Sequence, residues 1–228
     1  MLNIRNIKII VWKDLLEVRQ NKSVIVSLAM VPLIIMVVMP LVFLILANQP
    51  ATAQSLNDPD LATFFSNLPA SMTASMEGMN DIQLSMALML GYLFAPMFLI
   101  LPIMTSASIA SESFAGERER KTLEALLYTP ASDAELFIGK ALAAFIRSVL
   151  VSLLSFVLYT IVLNAGGFPL FGRLWFPFSP WYTLVFWISP GLAAFAVGLT
   201  VLISTRVQTF MGAYQTSSVM VVLVLGLV

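Results

Sequence analysis

Apolar residues fall in five long runs, at about 23–47, 84–109, 136–163, 182–203 and 210–228, with polar stretches between them. About 20 apolar residues suffice to cross hydrocarbon as a helix, so each run is a predicted membrane span. Residues 4–20 follow a different rhythm. Ile4, Ile7, Val11, Leu15 and Val18 recur every three or four positions, which is one face of a helix. Lys13 and Glu17 lie opposite that stripe, and Lys8, Trp12 and Arg19 flank it. An amphipathic helix lying in the membrane interface is expected there. The fifth run meets no polar flank or charged anchor before Val228, so it reads as a span cut short.

Details within the runs sharpen this picture. Pro32 and Pro40 sit in the first, Pro96 and Pro102 in the second. Membrane helices tolerate proline when neighbours satisfy the freed backbone, so the first span is expected inside a bundle. Lys140 lies near the start of the third. Arg147 lies seven residues on, about 10 Å along a helix. Arg147 is expected at the inner interface, or snorkelling to it, rather than acting as an intramembrane functional charge. Gly191, Ala194 and Gly198 in the fourth run form a small-residue stripe suited to close helix packing. Residues 48–81 carry Asp58, Asp60, Glu77 and Asp81 with no Lys or Arg. Asp58-Pro59 reads as a helix start. Leu61, Phe64, Phe65 and Leu68, then Met72, Met76 and Met79, suggest short amphipathic turns forming a lid over the bundle. From Asn164 into the start of the fourth run, Phe168, Phe171, Trp175, Phe176, Phe178, Trp181 and Tyr182 suggest an aromatic belt at the membrane surface.

Composition agrees with the runs. The 228 residues are 59% hydrophobic and 11% charged, against about 25% charged in soluble domains. The expected fold class is all-α: a polytopic membrane helical bundle, one transmembrane domain over residues 1–228. The N-terminal stretch is amphipathic and mixed in charge, unlike a cleaved signal peptide. Net charge is zero, which gives no reason to expect nucleic acid as a partner. The chain has neither Cys nor His, which excludes thiol chemistry, His/Cys metal sites and His-based triads. Lys and Arg cluster before the first span, between the second and third, and at Arg206, with only Arg173 on the other side. By the positive-inside rule the N-terminus is cytoplasmic in a multi-pass protein of the cell membrane.

The most charged stretch, residues 111–135, separates the second and third spans. Arg118, Arg120 and Lys121 stand among Glu112, Glu117, Glu119 and Glu124. Such a segment does not lie in hydrocarbon, so it is expected to project into the cytoplasm. Glu117/Lys121 and Arg120/Glu124 are spaced for i,i+4 pairs, and Leu123, Leu126 and Leu127 form an apolar patch. Thr129-Pro130 is a predicted helix stop, and Ser132 with Glu135 a predicted capping box. The whole reads as a docking element.

Other chemistries lack their residues. Gly139-Lys140 is followed by Ala141 and preceded by Ala134, so no phosphate loop exists. Apart from Glu112, no carboxylate lies in a span, as ion-coupled carriers usually require. No Ser has a His to activate it.

The segment ASESFAGERERKTLEALLYTPASDAELFIGKALA, residues 110–143, resembles the membrane signature of type-2 ATP-binding cassette (ABC) transporter permeases. Glu112, Glu117, Arg118, Glu119, Thr122, Glu124, Leu126, Leu127, Thr129, Pro130, Gly139 and Lys140 fall on that pattern, while Lys121 replaces the Gly before Thr. The resemblance implies a non-enzymatic permease subunit of an exporter with six spans, one of which is missing here. It implies two ATPase subunits that hold ATP and magnesium, no cofactor on this chain, and a second permease half completing a homo- or heterodimer in the lipid bilayer. It also implies a coupling helix that docks on the ATPase. The expected docking residues are Glu112, Glu117, Arg118, Glu119, Arg120, Lys121, Thr122, Leu123, Glu124, Leu126 and Leu127. The alternatives are a non-transporting membrane assembly factor that docks a cytosolic protein through the same segment, and an ion-coupled carrier.

Overall fold

The computed structural model describes residues 2–20, 22–49, 69, 76, 78–122, 131–207 and 209–227, and these form helices without strands. Helix α1 is Ile4–Gln20. Helix α2 runs from Lys22–Leu33 through a π turn at Ile34–Val38 into Met39–Ala47. Then come α3 (Asp81–Glu119), α4 (Asp133–Phe171), α5 (Ser179–Arg206) and α6 (Phe210–Leu227). Among the described residues, four helices are long and apolar enough to cross a membrane: Ala29–Ala47 in α2, then α3, α4 and α5. The protein is an all-α helical membrane bundle. Helix α6 occupies the fifth apolar run. The lid residues 50–68, with Met72 and Glu77, lie outside the described residues.

Both α3 and α4 have 39 residues, or about 58 Å at 1.5 Å per residue, nearly twice a hydrocarbon core of about 30 Å. Both helices therefore continue past the apolar runs 84–109 and 136–163 into polar ends. Helix α3 begins in a reciprocal box, where Asn80 Oδ1 accepts from Gln83 N (2.9 Å) and Gln83 Oε1 accepts from Asn80 N (3.0 Å). Its far end continues through the charged stretch to Glu119. Helix α4 runs on through Gly166 and Gly167 and stops at Gly172, whose φ of +64° suits a residue without Cβ.

Proline accounts for three of the π turns. They end two or three residues before Pro40, Pro96 and Pro190. Proline lacks an N–H and its ring crowds the preceding turn, so a widened turn relieves the clash. The fourth π turn, Glu112–Gly116, has no proline and belongs to the candidate site.

The chain divides into two compact units. The first comprises residues 1–31, 99–154 and 185–228. Its core joins Ile109 and Ala110 of α3, Ala144 of α4, and Val197 and Val201 of α5. Alanine at the contacts lets the helix backbones approach. A buried hydroxyl pair, Ser106 Oγ to Ser148 Oγ at 2.7 Å, links α3 to α4. The expected small-residue stripe does not serve this packing. Gly191, Ala194 and Gly198 are exposed, with open space beside both glycines, and α5 turns Ala193, Ala196, Val197 and Thr200 inward instead.

The second unit, residues 32–98 and 155–184, corrects the aromatic belt. Phe168 and Tyr182 are exposed, but Phe171, Trp175, Phe176, Phe178 and Trp181 are buried as a core with Phe98, Phe156 and Tyr159. The π turn at Met89–Leu93 feeds this core. Tyr159 Oη donates to the Leu90 carbonyl (2.5 Å) and Trp181 Nε1 to that of Gly91 (2.6 Å). Asn164 fastens the returning chain: its Oδ1 accepts from Trp175 N (3.0 Å) and its Nδ2 donates to the Phe176 carbonyl (2.7 Å). The Phe178 ring lies directly on Gly91, where a Cβ would stand 2.3 Å from a ring carbon. Gly91→Ala is therefore expected to destabilise the protein by about 1–3 kcal/mol through overpacking. Thermal unfolding followed by tryptophan fluorescence checks it, and an unchanged midpoint would show that the ring yields freely.

Candidate coupling site

The candidate site forms where α3 ends and α4 begins. Helix α3 reaches Glu119 and then stops; the predicted stop at Thr129-Pro130 lies outside the described residues. Lys121 takes the left-handed conformation (φ 58°). Thr122 N bonds to the Glu117 carbonyl (3.0 Å) and Lys121 N to that of Arg118 (3.0 Å). Those two bonds define a Schellman cap, whose left-handed position is ordinarily glycine. This is the place where the sequence departs from the signature, so Lys121 carries the strain that a glycine there would avoid. Lys121→Gly is expected to stabilise the chain by about 1 kcal/mol. Comparing chemical-denaturation midpoints of the two forms checks this, and a destabilised glycine form would mean that Lys121 makes compensating contacts.

The stop re-aims the charges. The expected i,i+4 pair of Glu117 with Lys121 is absent. Instead Glu117 Oε2 meets Lys140 Nζ of α4 at 2.5 Å, and both side chains are largely buried, 16% and 3% exposed. The contact is an ion pair, and Lys140 directs a hydrogen bond to the Ser113 carbonyl (3.4 Å). The π turn prepares that acceptor, because Glu117 N bonds to Phe114 rather than to Ser113 as α-helix would have it. Arg118 Nη1 donates to the Ser204 carbonyl in the last turn of α5 (3.0 Å), where the helix dipole favours a cation. Glu119 accepts from Phe210 N at the start of α6 (2.8 Å), where the dipole favours an anion. Arg120 pairs with Glu112 at 2.7 Å on the surface, across Gly116. Such an exposed pair adds little stability.

On the other side of the segment, the predicted capping box is present. Glu135 N donates to Ser132 Oγ (3.3 Å) and Glu135 Oε2 accepts from Ser132 N (3.2 Å). Glu135 also accepts from Asn6 Nδ2 (2.9 Å) and Asn3 N (2.6 Å) of the N-terminal segment. It lies before the apolar run that begins at Leu136, outside the membrane-crossing part. The Asn6 amide first, then the Asn3 and Ser132 backbone donors, hold its carboxyl below the usual range.

Helix α1 runs alongside α4 through three successive contacts. Asn6 meets Glu135, Ile10 lies against Gly139, where a Cβ would stand 2.8 Å from Ile10 Cγ2, and Asp14 faces Arg147 at 3.7 Å. The inward face of α1 is therefore Asn6, Ile10 and Asp14 rather than the Ile4 stripe, and Ile4 is exposed. Arg147 turns inward: its side chain is 13% exposed and it faces Asp14.

The structure thus brings together Glu112, Glu117, Arg118, Glu119 and Arg120, each engaged within the first unit, and leaves Arg118 to Thr122 exposed. Leu123, Glu124, Leu126 and Leu127 lie outside the described residues. Sequence reasoning missed Asp14, Asn6 and Glu135 as anchors of α1. The signal was present in Arg147, whose own span offers no carboxylate to meet it.

These features define a polytopic helical membrane protein whose central charged segment is clamped to its helices on both flanks. The family model of ABC-2 family transporter proteins matches residues 8–228, and the chain belongs to that family. No curated protein and no solved structure matches it. The family assigns the chain the role of an ABC transporter permease, generally a non-catalytic membrane subunit that works with ATPase subunits.

Proposed function

We propose that the chain is the permease half of an ABC exporter, driven by ATP hydrolysis on two copies of a separate ATPase that hold ATP and magnesium. The chain itself binds no cofactor. The ATPase docks on residues 118–127, with the N-terminus and this segment in the cytoplasm. The observation that carries the reading is the clamping of that segment's flanks. Glu117 before it and Lys140 after it are ion-paired, while Arg118 and Glu119 hold the ends of α5 and α6. A displacement imposed on the segment by an ATPase therefore reaches α3, α4, α5 and α6 through direct polar contacts, which is how a rigid-body transition is passed on. The open stripe at Gly191, Ala194 and Gly198 supports a second permease half packing there. The test is reconstitution with the cognate ATPase in vesicles. ATP-dependent efflux of substrate supports the proposal. Flux that follows an ion gradient without ATP would replace it with a carrier, and association with the ATPase without any flux would replace it with an assembly role.

A further inference from the structure

We propose that the groove between α1 and α4 is a specific binding site for one anionic phospholipid. The groove measures about 1120 Å³ and opens along the side of α1 that turns away from Glu135 and Asp14. Its floor is the half-buried Ile7, Val11 and Ile146 with the exposed Leu142, an apolar bed for an acyl chain. Its rim carries Arg5, Lys8 and Trp12. Trp12 is 66% exposed beside this apolar surface, the place an indole takes at headgroup depth.

Charge selects the occupant. The net charge of the whole chain is zero, yet the described charges along this rim are cationic. Asp14 is turned inward to Arg147, and Lys13 leans on Asp14 at 3.8 Å. Arg5 and Lys8 have no carboxylate partner among the described residues, and both are exposed one helical turn apart. A phosphodiester whose headgroup adds no compensating cation satisfies both, Arg5 through its planar fork and Lys8 as a point charge. A zwitterionic headgroup brings its own ammonium and gains less. A soluble protein helix would cover the apolar floor but would leave the cations where the membrane surface already competes for them. Because α1 holds α4 over the stretch that contains Gly139, Lys140 and Arg147, a lipid seated in this groove also braces the helix that pairs with Glu117.

The test is native mass spectrometry of the purified full chain in detergent, titrated with dioleoylphosphatidylglycerol or dioleoylphosphatidylcholine. The expected result is saturable retention of one phosphatidylglycerol per chain, in preference to phosphatidylcholine. In Arg5→Ala/Lys8→Ala that affinity should fall roughly thirtyfold, the weight of two cations facing an anionic lipid, with thermal stability in detergent alone unchanged. Leu142→Trp, which fills the groove and leaves the cations, should also abolish the one-to-one species. Equal retention of the two lipids, non-saturable accumulation, or undiminished binding in both variants would overturn the proposal. So would dimerisation of the chain through this face that excludes lipid.

Discussion

Glu117→Gln is expected to destabilise the protein by about 3 kcal/mol, because it leaves Lys140 charged and buried without its counter-ion. Read as half of an exposed pair with Lys121, the same change would cost only about 0.3–0.5 kcal/mol. The structure reverses that expectation by turning Lys121 into a left-handed cap and bringing Lys140 under Glu117. The double variant Glu117→Gln/Lys140→Met should recover most of the loss, since an apolar replacement for a buried pair is often neutral. Unfolding of the single and double variants in detergent measures the coupling directly, by the logic of a double-mutant cycle. A Glu117→Gln protein as stable as its parent would show that Lys140 reaches water or another acceptor, and would remove the clamp from the argument.

The helices over the apolar runs were legible in the sequence because long apolar runs need no knowledge of tertiary contacts, and among the described residues four of those helices are long and apolar enough to cross a membrane. Their ends were not. Gly166 and Gly167 look like loop residues, yet Gly166 packs on Leu44 and Gly167 on the Trp175 indole, so tertiary closeness keeps them helical. The aromatic residues after Asn164 carry the same composition whether they face headgroups or each other. Only the backbone carbonyls of Leu90 and Gly91, exposed by a π turn, reveal that Tyr159 and Trp181 are needed inside. At the candidate site the capping box at Ser132 was readable, because it is local. The pairings Glu117–Lys140 and Asp14–Arg147 were not, since they join residues 23 and 133 positions apart and no short-range rule reaches that far. The signature itself contained half of the answer. Its Glu117 and its Gly139-Lys140 are parts of one structural unit: the glycine admits Ile10 of α1, and the lysine closes on the glutamate.

Leu123→Asp and Leu127→Asp are each expected to abolish co-purification with the ATPase and ATP-driven transport while leaving membrane insertion intact. Both leucines follow the Schellman cap in the segment between the two clamped flanks, and their own placement lies outside the described residues. The expectation rests on sequence and on what the flanks do. Among eleven residues from Glu117 to Leu127, the apolar side chains are Leu123, Ala125, Leu126 and Leu127, so the leucines are the available anchors for a dry contact. Truncating a buried interface anchor costs about 2 kcal/mol or more, and a carboxylate adds the cost of an unpaired charge in that contact. Rim residues should matter far less for docking itself. Arg120→Ala, which removes an exposed surface pair with Glu112, should leave ATPase affinity within a few-fold of the parent. Insertion should survive, because the leucines lie outside the apolar runs and the changes do not alter the Lys/Arg asymmetry. The clamp variant separates docking from transmission. Glu117→Gln, measured at a temperature where it remains folded, should bind the ATPase yet transport less per ATP hydrolysed, since docking would persist while the link from the segment to α4 is cut. If both Asp variants bind the ATPase and transport like the parent, this segment is not the docking element and the proposed coupling route fails with it.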